Sequence, residues 1–393
     1  MKQTQIYRAA VAYGAYKVAS WAWNKWSGSS NQEEDIVNNE ASSSRNLNHS
    51  SRRMKQKSRR NFMRKRKRSI HQCYFETMRA SQEFMGSLRQ TIESHTDYSN
   101  ETKRLKQIRK KSIENGVVDQ EDLWRVIKIK SMTRMVATLY VNTMLYLLLT
   151  VQIHVLGGCM FRDNQRSQSN EHDTFASGVN DQNNRKITEL NQSKTITKDT
   201  HAAVLMQTHN FFSEVGIVEL LNKIQSVVEK STEKWITIKQ SNNQLGVISS
   251  NDMTSTIKAI RCIETDGIIF DFFTISQQEN GSQNQLENNL IDETFDISES
   301  PLFEESLSDC LQSSFQLLDS QLRSHLFQDQ DTIHLVHVFG KLKKITNMFY
   351  ETPQSRDDGQ VWWDDEQVSF PNMYIQDMDR LETLKELGDV SFN

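Results

Sequence analysis

The chain has 393 residues, of which 36% are hydrophobic, and a formal net charge of -3. That apolar share and a mean hydropathy of -0.65 are low for a chain of this length packed throughout, so part of it is expected to lie outside any core. Four scattered cysteines, Cys73, Cys159, Cys262 and Cys310, have no CxxC spacing, which excludes a disulfide-stapled scaffold and points to a reducing compartment; only three prolines leave room for long helices.

In chain order, the first 32 residues carry Lys2, Arg8, Lys17 and Lys25 but no acid. Tyr7, Trp21, Trp23 and Trp26 supply the amphipathic rings that settle at a water–lipid boundary, so residues 1–27 are expected to form a membrane anchor. Arg8 and Lys17 interrupt its apolar run, which weakens a full crossing, and an acid-poor start with arginine also fits a mitochondrial presequence. Residues 28–69 read as a disordered linker. It ends in "RRMKQKSRRNFMRKRKR", Arg52 to Arg68, which holds eleven basic residues and no acid. Such a block can meet anionic lipid, nucleic acid or an import receptor, or remain a solvated arm.

From residue 70 the pattern turns helical. Phe75, Met78, Phe84, Leu88 and Ile92 share one face of a helix predicted over about 70–114, and Asn115-Gly116 reads as the turn after it. The next helix is expected to start at Asp119 as N-cap, with Val118 stapled against Leu123, and to end in a left-handed turn at Gly157-Gly158, nearly forty residues later. Further helices are expected at about 200–242, 302–327 and 332–351. Asn/Gln-rich stretches at about 163–198 and 276–298 read as polar insertions. Residues 70–393 then form one helical bundle.

The uncharged run from Met135 to Phe161 is long enough to span a bilayer. Its polar residues argue for a protein core instead: Arg134, Thr138, Asn142 and Gln152 fall near one face, where a neighbouring helix can supply hydrogen-bond partners that lipid cannot. His154 in this run is read as a core histidine rather than a ligand. No phosphate-cradling glycine loop, GxSxG, HExxH or Cys/His metal spacing appears, so no enzyme activity and no cofactor are expected. His334 and His337, three apart, are read as surface or packing residues before a metal pair, and Trp362 and Trp363 as rings packed back on the bundle.

Three blocks resemble the peroxisomal biogenesis factor 3 (peroxin-3) family: "LWRVIKIKSMTRMVATLYVNTMLYLLLTVQIHVLGGCMFRDN" from Leu123, "ESPLFEESLSDCLQSSFQLLDSQL" from Glu299 and, more weakly, "YFETMRAS" from Tyr74. The resemblance implies an all-α, elongated helical bundle around one very long central helix, tethered by an N-terminal segment to the peroxisomal membrane and facing the cytosol. It implies a docking factor for a peroxin-19-like receptor and chaperone, which lays an amphipathic helix into a hydrophobic groove at the membrane-distal end. The family's groove tryptophan matches Trp124. A family leucine aligns with Ile113 and a family lysine with Gln120, where the charge is lost; Ile127, one turn beyond Trp124, is added from helical spacing. Two other readings stand beside it: a nucleic-acid-binding protein acting through residues 52–68, and a polytopic membrane protein with residues 135–161 as a span.

Overall fold

A computed structural model of the chain describes residues 47–111, 117–176, 211–235, 238–239, 244–266, 285–328, 330–351 and 372–393. Its axis is a single helix, α3 (Val117–Ala176), of 60 residues, about 90 Å of continuous helix at 1.5 Å per residue. Every residue from Ser131 to Gly158 on it is buried. A helix apolar on all sides must be covered on all sides. The cover comes from α1 (Leu47–His95), α2 (Ser99–Lys111), α4 (Ile217–Ser231), α6 (Gln285–Ser298), α7 (Pro301–Gln321), α8 (Leu335–Met348) and α10 (Glu382–Ser391). The stretch Gln120–Arg166 is long and apolar enough to cross a membrane, but 89% of its most apolar window is buried within the protein. It presents almost no side chain to lipid, which goes against the reading of residues 135–161 as a span.

The two ends of the helix differ from the sequence expectation. It starts at Val117, before Asp119, and it runs straight through Gly157-Gly158 to Ala176. These glycines do not stop the helix, because Gly158 serves tertiary contact instead: a Cβ there would lie 2.1 Å from the main-chain oxygen of Phe392. The C-terminal segment therefore crosses α3 at a distance only glycine permits.

Helix α1 begins at Leu47, so the basic run expected in a disordered linker is helical. Lys and Arg are good helix formers and no Gly or Pro interrupts the run, so helix already nucleated over the packed residues 70–95 extends at little cost. The expected 70–114 helix is broken at Thr96–Tyr98. Asp97 restarts it as α2, its carboxylate accepting from the Ser99 N–H at 3.0 Å and the Ser99 hydroxyl at 2.6 Å. Arg134, buried on α3, seals the C-terminal end of α1. It donates to the Thr96 hydroxyl and carbonyl, each at 2.9 Å, and stacks over the Tyr98 ring. A guanidinium there meets unpaired carbonyls at the negative end of the helix dipole.

Several covering elements differ from expectation. The helix expected over about 200–242 is a π-helical turn, Phe212–Gly216, continuing into α4; Ile238–Lys239 (β1) pairs antiparallel with Gln244–Leu245 (β2) where helix was expected. Val247–Ser249 (β3) pairs antiparallel with Thr332–His334 (β4). Helix α5 (Ser250–Ile260) follows β3 through a capping box in which Ser249 and Asp252 exchange hydrogen bonds, a signal present in the sequence as S-x-x-D. Most of the second polar insertion, from Gln285 on, is α6, whose Leu290, Ile291 and Thr294 face inward between Asn, Asp and Glu. Helix α7 follows its expected start, with Ser300 as N-cap and Pro301 in the first turn. Helices α9 (Met373–Asp379) and α10 close the bundle.

Polar residues of α3 are used as interhelical ties. The Tyr374 hydroxyl donates to the Leu139 carbonyl at 3.0 Å and meets the Ser314 and Thr143 hydroxyls, while Thr138 meets Tyr350 at 3.0 Å and Tyr140 donates to Glu264 at 2.9 Å. Asn142 and Gln152 do not follow. Neither side-chain amide has a hydrogen-bond partner among the described residues, although both are fully buried. Of the four residues named in that expectation, Thr138 and Arg134 are served by a neighbouring element and the two amides are not.

Candidate functional site

The residues expected to dock a partner lie in the first turns of α3. Trp124 is 9% exposed, its ring 5.9 Å from that of Phe339 on α8 and inclined by 30°. Ile127, one turn on, is buried with it, and Gln120, one turn before, is half-buried. The structure thus brings Trp124, Ile127 and Gln120 onto one end of the bundle, with Trp124 belonging to the core as well as to that end. Ile113 lies outside the described residues, as do Tyr7, Trp21, Trp23 and Trp26 of the expected anchor and Trp362 and Trp363.

The turn around Trp124 is held rigidly from one side. Lys128 donates to the main-chain oxygens of Thr232 at 2.7 Å and Trp235 at 3.1 Å, gripping the carbonyl end of α4. Burial, aided by nearby Arg125, pulls its ammonium below the ordinary lysine range. Arg125 pairs with Glu229 of α4 at 2.7 Å on the exposed side. Lys130 reaches the Asp97 carbonyl at 2.6 Å and Glu101 at 3.1 Å, tying the same segment to α2. These lysines were not anticipated from the sequence. The signal was a basic residue at nearly every other position of "RVIKIK", which an exposed helix face would also give.

Further down α3, His154 is buried and its Nδ1–H donates to the Thr150 carbonyl at 2.7 Å. Burial lowers its pKa to about 4. Its other nitrogen faces the Tyr74 ring and Gly388. It is a core residue, in keeping with the sequence reading. His334 and His337 are both exposed, with ring centroids 6.3 Å apart. Among the described residues no group of three or more His, Cys, Asp or Glu is arranged to hold a metal ion.

The opposite end of the bundle carries cations. On α1, Lys57, Arg59, Arg60, Arg64, Lys65, Lys67 and Arg68 are exposed, and Phe62 and Met63 among them stay 42% and 54% exposed. Phe62 leans on Phe161 of α3, and Phe161 on Phe392 after α10, with centroid separations of 5.5 and 5.8 Å. From Trp124 to Arg166 is about 60 Å along the helix axis at 1.5 Å per residue.

A central helix buried from Ser131 to Gly158, with a tryptophan-bearing end and a cationic, aromatic end, defines an all-α helical bundle. The Peroxin-3 family model matches residues 24–204. Peroxisomal biogenesis factor 3 of Rattus norvegicus is 25% identical over 235 residues, 56% of this chain and 58% of the rat protein. Those of Mus musculus and Bos taurus are each 26% identical over 226 residues, 54% of this chain and 55% and 56% of theirs. Over these residues the chain is similar to the Peroxin-3 family, and its matches span a little over half the length of these curated relatives.

Proposed function

We propose that this chain is a docking factor in peroxisome biogenesis, held at the peroxisomal membrane with its bundle toward the cytosol. There it receives a peroxin-19-like receptor that delivers newly made membrane proteins. The kinship with peroxisomal biogenesis factor 3 supports the process and the membrane. The observation that supports docking is the position of Trp124: on the first turns of the central helix, layered on Phe339, about 60 Å from the cationic end by helical rise. In this reading an amphipathic partner helix extends the Trp124–Phe339 layer, with Ile127 beneath it, Gln120 on the rim and Ile113 contributing an apolar contact. No catalytic step is involved.

The basic run of α1 in this reading lies against anionic lipid, with residues 1–27 as the anchor. Exposed Phe62 and Met63 among the cations favour a membrane surface over nucleic acid, since apolar side chains gain from entering the interface.

Calorimetric titration with an N-terminal helix of a peroxin-19-type partner tests the docking. Trp124→Ala is expected to weaken binding by about 2 kcal/mol or more, and Trp124→Phe, which keeps most of the packing on Phe339, by less. Both variants are to be checked for unchanged far-UV helicity. Wild-type affinity in both folded variants would refute the site. Localisation of tagged full-length protein with a peroxisomal matrix marker tests the compartment, mitochondrial targeting being the adverse result.

A further inference from the structure

An open pocket of about 360 Å³ lies at the cationic end, where the start of α1, the far end of α3 and the last residues after α10 meet. Two chemistries line it. Three guanidinium groups, Arg66, Arg162 and Arg166, come from two different helices, and three phenyl rings, Phe62, Phe161 and Phe392, form a continuous ladder beside them.

The arginines already converge on oxygen. Arg66 donates to the side-chain oxygen of Asn393 and Arg162 to its main-chain oxygen, so two acceptors sit side by side in the pocket. Arg66 also lies over the Phe392 ring at 5.8 Å, within cation–π range. Arg162 also donates to the Cys159 sulfur at 2.9 Å, and the carboxylates of Glu293 and Asp163 lie 4.0 Å from Arg162 and 3.8 Å from Arg166. Converging guanidiniums match phosphate oxygens in geometry as well as charge.

We propose that this pocket binds the phosphate headgroup of an anionic glycerophospholipid, with Arg162 and Arg166 joining Arg66 on the phosphate and Phe62 and Phe161 against the glycerol and first acyl carbons. The proposal rests on the membrane reading above and deepens it, because Arg162 and Arg166 lie on α3, outside the basic run of residues 52–68. Charge complementarity selects an anion, and the half-exposed Phe62 rim selects an amphiphile over a free ion. The pocket is continuous with the cationic face of α1, so a lipid seated in it stays in a bilayer lying along that face.

The test uses the full chain in neutral detergent and native mass spectrometry, with three probes: phosphatidic acid, phosphatidylcholine and inorganic phosphate. Wild type is expected to hold one phosphatidic acid in preference to phosphatidylcholine. Arg162→Gln with Arg166→Gln is expected to weaken that binding about tenfold or more, from the loss of charge-assisted hydrogen bonds to the phosphate. Phe62→Ser, at an exposed position, is expected to weaken phosphatidic acid alone. As a control, Lys57→Gln with Arg60→Gln removes the same charge from α1 outside the pocket and is expected to cost clearly less. If wild type binds anionic lipid and the Arg162/Arg166 variant binds it equally, or if the Lys57/Arg60 control loses as much, the pocket assignment is overturned while the membrane reading of α1 stands. If wild type shows no preference for the anionic lipid, both fall. Displacement by inorganic phosphate at concentrations comparable to the lipid overturns the lipid as occupant.

Discussion

Gly158→Ala places one methyl group where α3 and the C-terminal segment cross, and its cost can be worked from the contact. The new Cβ would meet the Phe392 oxygen at 2.1 Å and its carbonyl carbon at 2.8 Å, against ordinary contact beginning near 3.4 Å. Both obstacles are backbone, so no rotamer change relieves them. The Phe392 main chain must retreat by more than 1 Å. Overpacking of this kind costs about 1–3 kcal/mol, and complete undocking of the buried Phe392 ring about 1.5–3 kcal/mol. Alanine returns about 1 kcal/mol of helix propensity. The net expectation is a loss of up to about 2 kcal/mol, read as a lower urea midpoint at unchanged slope. Gly86 and Gly340 supply the controls, since a Cβ at either has nothing within 4 Å. The same change there is expected to stabilise by about 0.5–1 kcal/mol. If Gly158→Ala gains stability as the Gly86 and Gly340 changes do, the close crossing is wrong, and with it the reason why the glycine pair does not end the helix.

Three further outcomes follow from single side chains. His154 is neutral and buried with a pKa near 4 against 6.5 unperturbed, so the unfolded chain takes up its proton first; stability from this group is complete above pH 6.5 and falls between 6.5 and 4. The loss amounts to about 3 kcal/mol. It is measured as the difference in urea midpoint between wild type and His154→Leu across that window, and parallel pH profiles would refute it. Arg134→Met removes a buried guanidinium from the Thr96 oxygens and leaves the end of α1 unsealed. A loss of about 2–3 kcal/mol is expected, with faster amide exchange over residues 92–96, and unchanged exchange there would contradict the capping role. Gln152→Met replaces a buried amide that has no partner among the described residues by a side chain of similar shape. Stability is expected to rise by about 1 kcal/mol, and a clear loss would mean that the amide is satisfied.

How much was legible in the sequence varies by element. Helix α7 showed its start because Ser300 and Pro301 act within one turn of chain, and α3 showed its burial because uncharged residues occur on every face. The same local logic applies at α5, where Ser249 and Asp252 form a capping box. Helix α6 was hidden because its inward positions are a minority among Asn, Asp and Glu, so composition outweighed periodicity. For the candidate docking end, the sequence placed Trp124 in the first turns of the helix. It did not indicate that Phe339, more than two hundred residues away, would cover the ring to 9% exposure.

By itself, then, the sequence determined what depends on neighbours a few positions apart: an all-α chain, a central helix that must be covered, and a basic run. Tertiary structure decided what depends on partners far along the chain. It turned Gly157-Gly158 from a stop into a crossing point, because the approach of Phe392 demanded a missing Cβ. It ended α1 at Thr96, where Arg134 waits for its carbonyls. It also gathered Arg66, Arg162 and Arg166 around one pocket, from positions whose spacing along the chain carries no trace of the meeting.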